Sequence, residues 1–179
     1  MSIIKNGDEL TMVEILSISP SDKIIDKIAS LYNTIWNSED TTIKERIWKH
    51  STYTGYKGII LLRNEEVVGF AYGYTSLPGQ YYHEKLTKEF TSEEYNHWLT
   101  NCFEFVELAV HPGYRKQGFG QMLIKKLLQD VDSKTAVLTT QVNNNSARSL
   151  YESLNWLTLK EPFFPGEENN PYIILGKEL

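Results

Sequence analysis

The sequence predicts an α/β domain built on a central mixed sheet, and three observations lead there. Ile24, Ile28, Leu31 and Ile35 stand at i, i+4, i+7 and i+11, the stripe of an amphipathic helix. Short β-branched and aromatic runs bounded by turn residues, residues 58–63 and 67–74 among them, read as strands. The two kinds of segment follow one another as β, α, α, β, β, β, α, β, α, β, β, and no repeat, linker or low-complexity tract divides them.

Taken in order, residues 10–18 are apolar and β-branched in patches and form the first strand. Ser19 is placed to cap a helix, Pro20 suits a first helical position, and Asp22 favours the positive helix end. Residues 41–53 form a second helix. Residues 58–63 and 67–74 flank Asn64-Glu65-Glu66 as a hairpin, which Leu77-Pro78-Gly79 closes. Residues 80–101 are polar and aromatic, with a helix at 92–99. Residues 103–110 are a strand with apolar side chains in both phases, which suits burial on both faces or a bulge. From Gly118 a helix runs to about Asp132, with Phe119, Met122, Leu123, Leu127 and Val131 on one side. Residues 135–142 are a strand. Ala147, Leu150, Tyr151 and Leu154 share one helix face. Residues 156–163 and 171–179 are the closing strands around the turn at 165–170.

A length of 179 residues suits one domain, able to bury roughly 70% of its unfolded surface. The formal net charge is -5, which argues against a nucleic-acid partner. Cys102 is the one cysteine, so an internal disulfide and a four-cysteine zinc site are excluded and a reducing, cytoplasmic setting is expected. His50, His83, His97 and His111 lack metal-ligand spacing, and no metal is expected. Polar residues interrupt the N-terminus before any run of signal length, and the purest aliphatic run, 59–62, is far below the ~20 residues of a membrane helix.

The segment richest in chemistry is Val110-His111-Pro112-Gly113-Tyr114-Arg115-Lys116-Gln117-Gly118-Phe119-Gly120. A strand enters a turn and two glycines open a helix, whose first amides point outward and can bind phosphate, with Arg115 and Lys116 beside them. An ordinary strand-to-helix turn would use the same glycines for their φ angles. The spacing is R-x-x-G-x-G. Neither G-x-G-x-x-G nor a glycine run ending in Gly-Lys-Ser/Thr is present.

Here the chain resembles the GNAT (GCN5-related N-acetyltransferase) superfamily, whose acetyl-CoA signature is Q/R-x-x-G-x-G/A. Glu107-Leu108-Ala109-Val110-His111-Pro112 resembles that family's fourth strand and its V-x-P turn. Asn144, Ala147, Leu150 and Tyr151 match its N-x-x-A-x-x-L-Y segment, and the element order agrees over nearly the whole chain. Asn155-Trp156 replaces the usual Gly-Phe, a swap Asn allows because it accepts the left-handed conformation.

The resemblance implies one GNAT domain over 1–179, with about seven strands, splayed fourth and fifth strands, and an insertion at about 78–102. It implies acetyl-CoA as cosubstrate. Backbone groups of Leu108 and Val110 would pair with the pantetheine, and a bulge at Leu108-Ala109 would aim an amide at the thioester carbonyl. Amides from Arg115, Lys116, Gln117, Gly118, Phe119 and Gly120 would hold the pyrophosphate, and Asn144 would touch the cofactor. Tyr151 matches the family's general acid, although its place on an apolar helix face equally suits core packing. Glu104 and Glu107 interrupt an apolar strand, and burial would raise either carboxyl toward the range of a general base; Glu107 is preferred.

For the acceptor side, the resemblance points to regions holding Trp36, Tyr53, Tyr72, Tyr74, Tyr81, Tyr82, Trp98, Phe163 and Phe164, with Glu39, Asp40, Glu84, Glu167 and Glu168. Aromatics and acids together would suit a cationic amine, although core packing and solvated loops would account for many of them. The expected acceptor is therefore a small-molecule amine. The alternatives are a protein lysine or N-terminus, or a non-catalytic acetyl-CoA sensor. No membrane partner is expected, and the aromatic insertion offers a homodimer surface.

Overall fold

The computed structural model describes residues 2–6, 9–19, 22–36, 42–166 and 170–179. Contacts divide the chain into two compact units, Met1–Gly73 with Glu107–Gln129, and Tyr74–Val106 with Asp130–Leu179.

The first unit holds β1 (Ser2–Asn6), β2 (Glu9–Ser17), α1 (Asp22–Trp36), α2 (Ile43–Ser51), β3 (Lys57–Arg63), β4 (Glu66–Thr75) as far as Gly73, the end of β5 (Cys102–Val110) from Glu107, and α5 (Phe119–Leu128). Strands β1 to β4 pair in sequence order, each antiparallel to the next. The β3–β4 turn has Asn64 at φ 50° and Glu65 at φ 66°, the positive pair of a two-residue hairpin turn. Ile25, Ile28 and Leu31 of α1, Ile43 and Ile47 of α2, Ile59 to Leu61 of β3, and Phe119, Leu123 and Leu127 of α5 are buried. A Cβ on Gly69 would stand 3.1 Å from the Ala109 carbonyl oxygen and from Leu123, so glycine there lets β4, β5 and α5 pack closely.

The second unit holds the end of β4 from Tyr74, α3 (Tyr81–Thr87), α4 (Ser92–Trp98), β5 as far as Val106, β6 (Thr135–Gln141), α6 (Asn145–Glu152), β7 (Leu157–Phe163) and β8 (Tyr172–Glu178). Its strand order is β5-β6-β8-β7, parallel between β5 and β6 and antiparallel thereafter. Leu86, Leu99, Cys102, Val137, Phe163 and Ile174 form its buried cluster. Thr91 and Glu94 make a reciprocal capping box at the start of α4. A Cβ on Gly176 would stand 2.8 Å from the Trp98 ring, so only glycine lets that ring lie on β8.

Three sequence expectations are corrected. The first unit carries one strand, β1, that was not expected; its segment contains only Ile3 and Ile4 as apolar residues, too short a run to read as a strand. The insertion carries α3 as well as α4. Helix α5 stops at Leu128, because Gln129 is extended and Asp130 sits at φ 60°, so Val131 is off the apolar stripe. The Lys57 ammonium fixes that exit by donating to the Gln129 carbonyl. Helix α1 begins at Asp22, so Ser19, the expected cap, stands three residues before it rather than next to it; Pro20 lies outside the described residues. Asn155 takes φ 62°, the left-handed conformation expected of it.

Candidate functional site

The parallel ladder between β5 and β6 has three pairs, Cys102 with Thr135, Phe103 with Ala136 and Glu104 with Val137. Strand β5 then runs on to Val110.

In the first unit β5 leads into a tight 3₁₀ turn, Pro112–Tyr114. The His111 Nδ1 accepts from the Gly113 amide at 3.1 Å, and the His111 amide donates to the Val68 carbonyl at 2.9 Å. The Arg115 Nε donates back to the Val110 carbonyl at 3.1 Å, so the strand end and the turn hold each other. Lys116 and Gly118 both have positive φ, 60° and 81°. An added Cβ on Gly118 would meet nothing within 4 Å, so its conformation, not crowding, calls for glycine. Gly118 is the N-cap of α5, whose first amides have no partner within the helix. Phe119 is buried, and only its backbone can face a ligand. Arg115 and Lys116 are exposed beside those amides. Residues 115–120 thus form one anion-ready loop, and Leu108, Ala109 and Val110 lead into it.

Glu107, also in the first unit, is 16% exposed at its side chain and accepts from the Arg46 Nη2 of α2 at 3.2 Å. Burial pushes its carboxyl up to about 7 while Arg46 holds it down. Burial pulls the Arg46 guanidinium down, but Tyr72 and Glu107 outweigh that and raise it. Arg46 also lies over the Tyr32 ring, 5.3 Å from its centre. The Tyr72 hydroxyl meets the His50 Nδ1 at 3.2 Å, and burial, with Arg46 and Lys49 nearby, lowers His50 to about 4.

Glu104, in the second unit, is only 5% exposed. Its Oε1 accepts from the Tyr74 hydroxyl at 3.0 Å and its Oε2 from the Ser76 hydroxyl at 3.3 Å. Burial pushes it up to about 7, and the Tyr74 and Ser76 hydroxyls oppose that rise. The Ser76 Oγ also meets the His83 Nδ1 of α3 at 3.0 Å, and the Tyr95 hydroxyl of α4 meets the His83 Nε2 at 3.4 Å. The loop that sets this spacing is itself tied down. Gln80 accepts from the Leu77 amide at 2.8 Å and donates to the Thr75 carbonyl at 3.1 Å.

Tyr151 is buried near the end of α6, edge-on to Phe105 of β5 and to Trp156, with ring centres 6.4 and 5.7 Å away. Phe105 and Glu104 are adjacent on β5 and point to opposite faces of a regular strand, so Tyr151 and the Glu104 carboxylate contact opposite faces of it. The Asn144 side-chain oxygen caps α6 by accepting from the Ala147 amide at 3.2 Å. Cys102 is fully buried and its thiol is pushed up to about 12, a poor nucleophile by that measure.

The structure therefore gathers Glu107, Leu108 to Val110 and Arg115 to Gly120 in one unit, and Glu104, Asn144 and Tyr151 in the other. Of the aromatic candidates for the acceptor side, Tyr72, Tyr74 and Phe163 are core residues, whereas Trp36, Tyr81 and Phe164 are exposed. The Glu84 carboxylate accepts from the Gly79 amide at 2.8 Å. Glu39, Asp40, Glu167 and Glu168 lie outside the described residues. Sequence reading missed Arg46, Ser76, His83 and Tyr95. Arg46 and His50 did leave a signal, being four apart on α2 beside the buried Ile43 and Ile47. No cluster of three or more His, Cys, Asp or Glu able to hold a metal occurs among the described residues, and none of their helices is long and apolar enough to cross a membrane.

The Acetyltransferase (GNAT) family matches residues 23–156. A GCN5-like protein acetyltransferase of Mycobacterium tuberculosis is 28% identical over 126 residues, 66% of this chain and 61% of that protein. A ribosomal protein bS18-alanine N-acetyltransferase of Salmonella typhimurium is 29% identical over 73 residues, 38% of this chain and 49% of that protein. The matches thus span less than two thirds of either relative. The crystal structure of Arabidopsis thaliana NAA60 in complex with acetyl-CoA matches with a TM-score of 0.70 at 14% identity, over 94% of this chain and 99% of that one, a likeness of fold.

Proposed function

From the premise that the chain belongs to the GNAT acetyltransferase family, we propose that it moves the acetyl group of acetyl-CoA directly onto a primary amine. The observation that carries this reading is the loop of residues 115–120, where Gly118 at φ 81° opens α5 beside two exposed cations. That loop fits a pyrophosphate, since free helix amides and positive charge favour anions.

Acetyl-CoA, when bound, supplies the acetyl group as a thioester. The amides of Gln117 to Gly120, with Arg115 and Lys116, would hold its phosphates, and the backbone of Leu108 to Val110 would align the pantetheine. Asn144 has its side-chain oxygen committed to the helix cap and would offer its NH2. Tyr151 would give its phenolic proton to the leaving sulfur. Of the two carboxylates, Glu104 is favoured as the proton acceptor. Protonating Glu107 would strip Arg46 of its counter-charge, whereas Glu104 is held by hydroxyls alone among its hydrogen-bonding side chains.

For the acceptor, the two curated relatives are by name protein acetyltransferases, which supports a protein amine ahead of the small amine expected from sequence. The second reading, a small cationic amine, is supported by the exposed Trp36, Tyr81 and Phe164 rings. The test incubates the protein and acetyl-CoA with an Ala-starting hexapeptide, an N-terminally blocked lysine peptide, spermidine or kanamycin, and measures free thiol. Thiol release with either peptide supports the first reading, and release with spermidine or kanamycin alone supports the second. Calorimetric binding of acetyl-CoA with no release on any amine would leave a sensor and overturn the enzyme.

A further inference from the structure

Outside the roles above, the most organised polar feature is a buried chain of side chains in the second unit: Tyr95, His83, Ser76, Glu104 and Tyr74. Its two outer members on one side come from the insertion, His83 on α3 and Tyr95 on α4. We propose that His83 is a positioning residue that, through Ser76, holds Glu104 in its proton-accepting form. This rests on the reading of Glu104 as the base.

The hydrogen bonds permit two polarities. With Glu104 ionised, the Ser76 hydroxyl donates to Oε2, so its oxygen is left to accept, and the His83 Nδ1 must carry a proton to donate to it. The His83 Nε2 is then a lone pair that accepts from the Tyr95 hydroxyl. Every hydrogen has a taker, and both carboxylate oxygens receive a donor. In the opposite tautomer Nδ1 takes the Ser76 proton, and Glu104 keeps two satisfied oxygens only by being protonated itself. The His83 tautomer and the Glu104 charge are therefore coupled.

His83 is 2% exposed, and burial holds it neutral against the pull of Glu84 on its own helix. A neutral ring is required, since a neutral imidazole is a donor at one nitrogen and an acceptor at the other. The other titratable groups facing Glu104 are Tyr74 on β4, Tyr82 on α3 and Cys102 on β5. Burial holds the Tyr82 phenol and the Cys102 thiol protonated near neutrality, so neither competes in that range.

Two independent measurements test this. Long-range ¹⁵N NMR of the imidazoles from pH 5 to 9 should find His83 as the Nδ1–H tautomer at high pH and moving toward Nε2–H as Glu104 protonates. Glu104→Gln should abolish that change. A His83 tautomer that is the same across the range in the unmodified protein overturns the coupling. The second measurement is the pH profile of turnover with acetyl-CoA and whichever of spermidine or the Ala-starting hexapeptide releases thiol. Ser76→Ala and His83→Phe should each move the alkaline-rising limb up by roughly one pH unit, the size expected when a carboxylate loses one hydroxyl donor. Turnover would then fall about fivefold at pH 7 and recover at pH 9, with the KM for acetyl-CoA unchanged. The double variant should shift no further than either single one. His83→Asn, whose NH2 falls near the place of Nδ1, should restore the limb. Should His83→Phe not fold, Ser76→Ala and His83→Asn carry the comparison. A limb lost in Glu104→Gln but unmoved in Ser76→Ala overturns the positioning role and leaves the base reading standing. A limb that persists in Glu104→Gln overturns both.

Discussion

Replacing Glu104 by Gln should make the protein markedly less sensitive to pH, and the size follows from burial. The carboxyl is pushed from 4.5 in the unfolded chain to about 7 in the folded one. A group whose folded value is raised binds its proton more tightly when folded. It therefore favours the folded state at low pH and loses that advantage as pH rises from 4.5 to about 7. Linkage over that interval, at about 1.4 kcal/mol per pH unit, gives a loss of about 2–3 kcal/mol between pH 5 and pH 8. Gln keeps the shape, can accept from Tyr74 and donate to Ser76, and has no proton to lose. Urea unfolding of both proteins at pH 5 and pH 8 measures the difference, since all other groups cancel in the comparison. The variant should match or trail the parent at pH 5 and gain about 2–3 kcal/mol relative to it by pH 8. Parallel stability curves for the two proteins would refute a raised Glu104 and, with it, its suitability as a base near neutral pH.

Other perturbations follow from the same contacts. Tyr151→Phe keeps the edge-on packing against Phe105 and Trp156 but lacks the phenolic proton, so turnover should fall by about 10²-fold or more while acetyl-CoA affinity by calorimetry stays within twofold. Arg46→Ala leaves Glu107 without its counter-charge and uncovers the Tyr32 ring; because Arg46 is 37% exposed at its side chain, the cost in urea unfolding at pH 8 should be about 1–3 kcal/mol, shrinking at pH 5 as Glu107 protonates. Gly118→Val places a β-branched residue at φ 81°, which should cost about 1–3 kcal/mol and weaken acetyl-CoA binding at least tenfold; an unchanged dissociation constant would remove this loop from phosphate binding.

The elements legible in the sequence are those whose signal is local. The stripe from Ile24 to Ile35 gave α1, the Asn64-Glu65 turn gave the β3–β4 hairpin, and Gly118 marked the start of α5. Asn155 could be read as left-handed because asparagine is one of the few residues that tolerates it. The elements that escaped were decided by distant partners. β1 exists by pairing with β2, and α5 ends where Lys57, far away in sequence, reaches the Gln129 carbonyl. The site divides the same way. The loop at 115–120 is one contiguous motif, whereas Glu104 meets Tyr74 and Ser76 from the end of β4 and the loop after it, and reaches His83 of α3 only through Ser76; no spacing rule links positions 76, 83 and 104. Even Glu107, whose polarity in an apolar strand was visible, could not reveal Arg46, 61 positions earlier.

That last contact bears on which carboxylate can turn over a proton. Glu104 and Glu107 stand on one strand, and burial lifts both to about 7, so proton affinity alone does not separate them. What separates them is the cost of changing charge once per turnover. When Glu107 takes a proton, the Arg46 guanidinium, half-buried among Tyr32, Tyr72 and Glu107, is left as an uncompensated cation. When Glu104 takes a proton, a charge disappears from a site where the hydrogen-bond partners are hydroxyls. The Ser76 hydroxyl can rotate from donor to acceptor without leaving its place. A residue locked in an ion pair is suited to hold structure through the cycle, and a residue among reorientable hydroxyls is suited to gain and lose a proton. On that ground Glu107 with Arg46 braces α2 against the end of β5, and under the proposed function the proton chemistry would fall to Glu104.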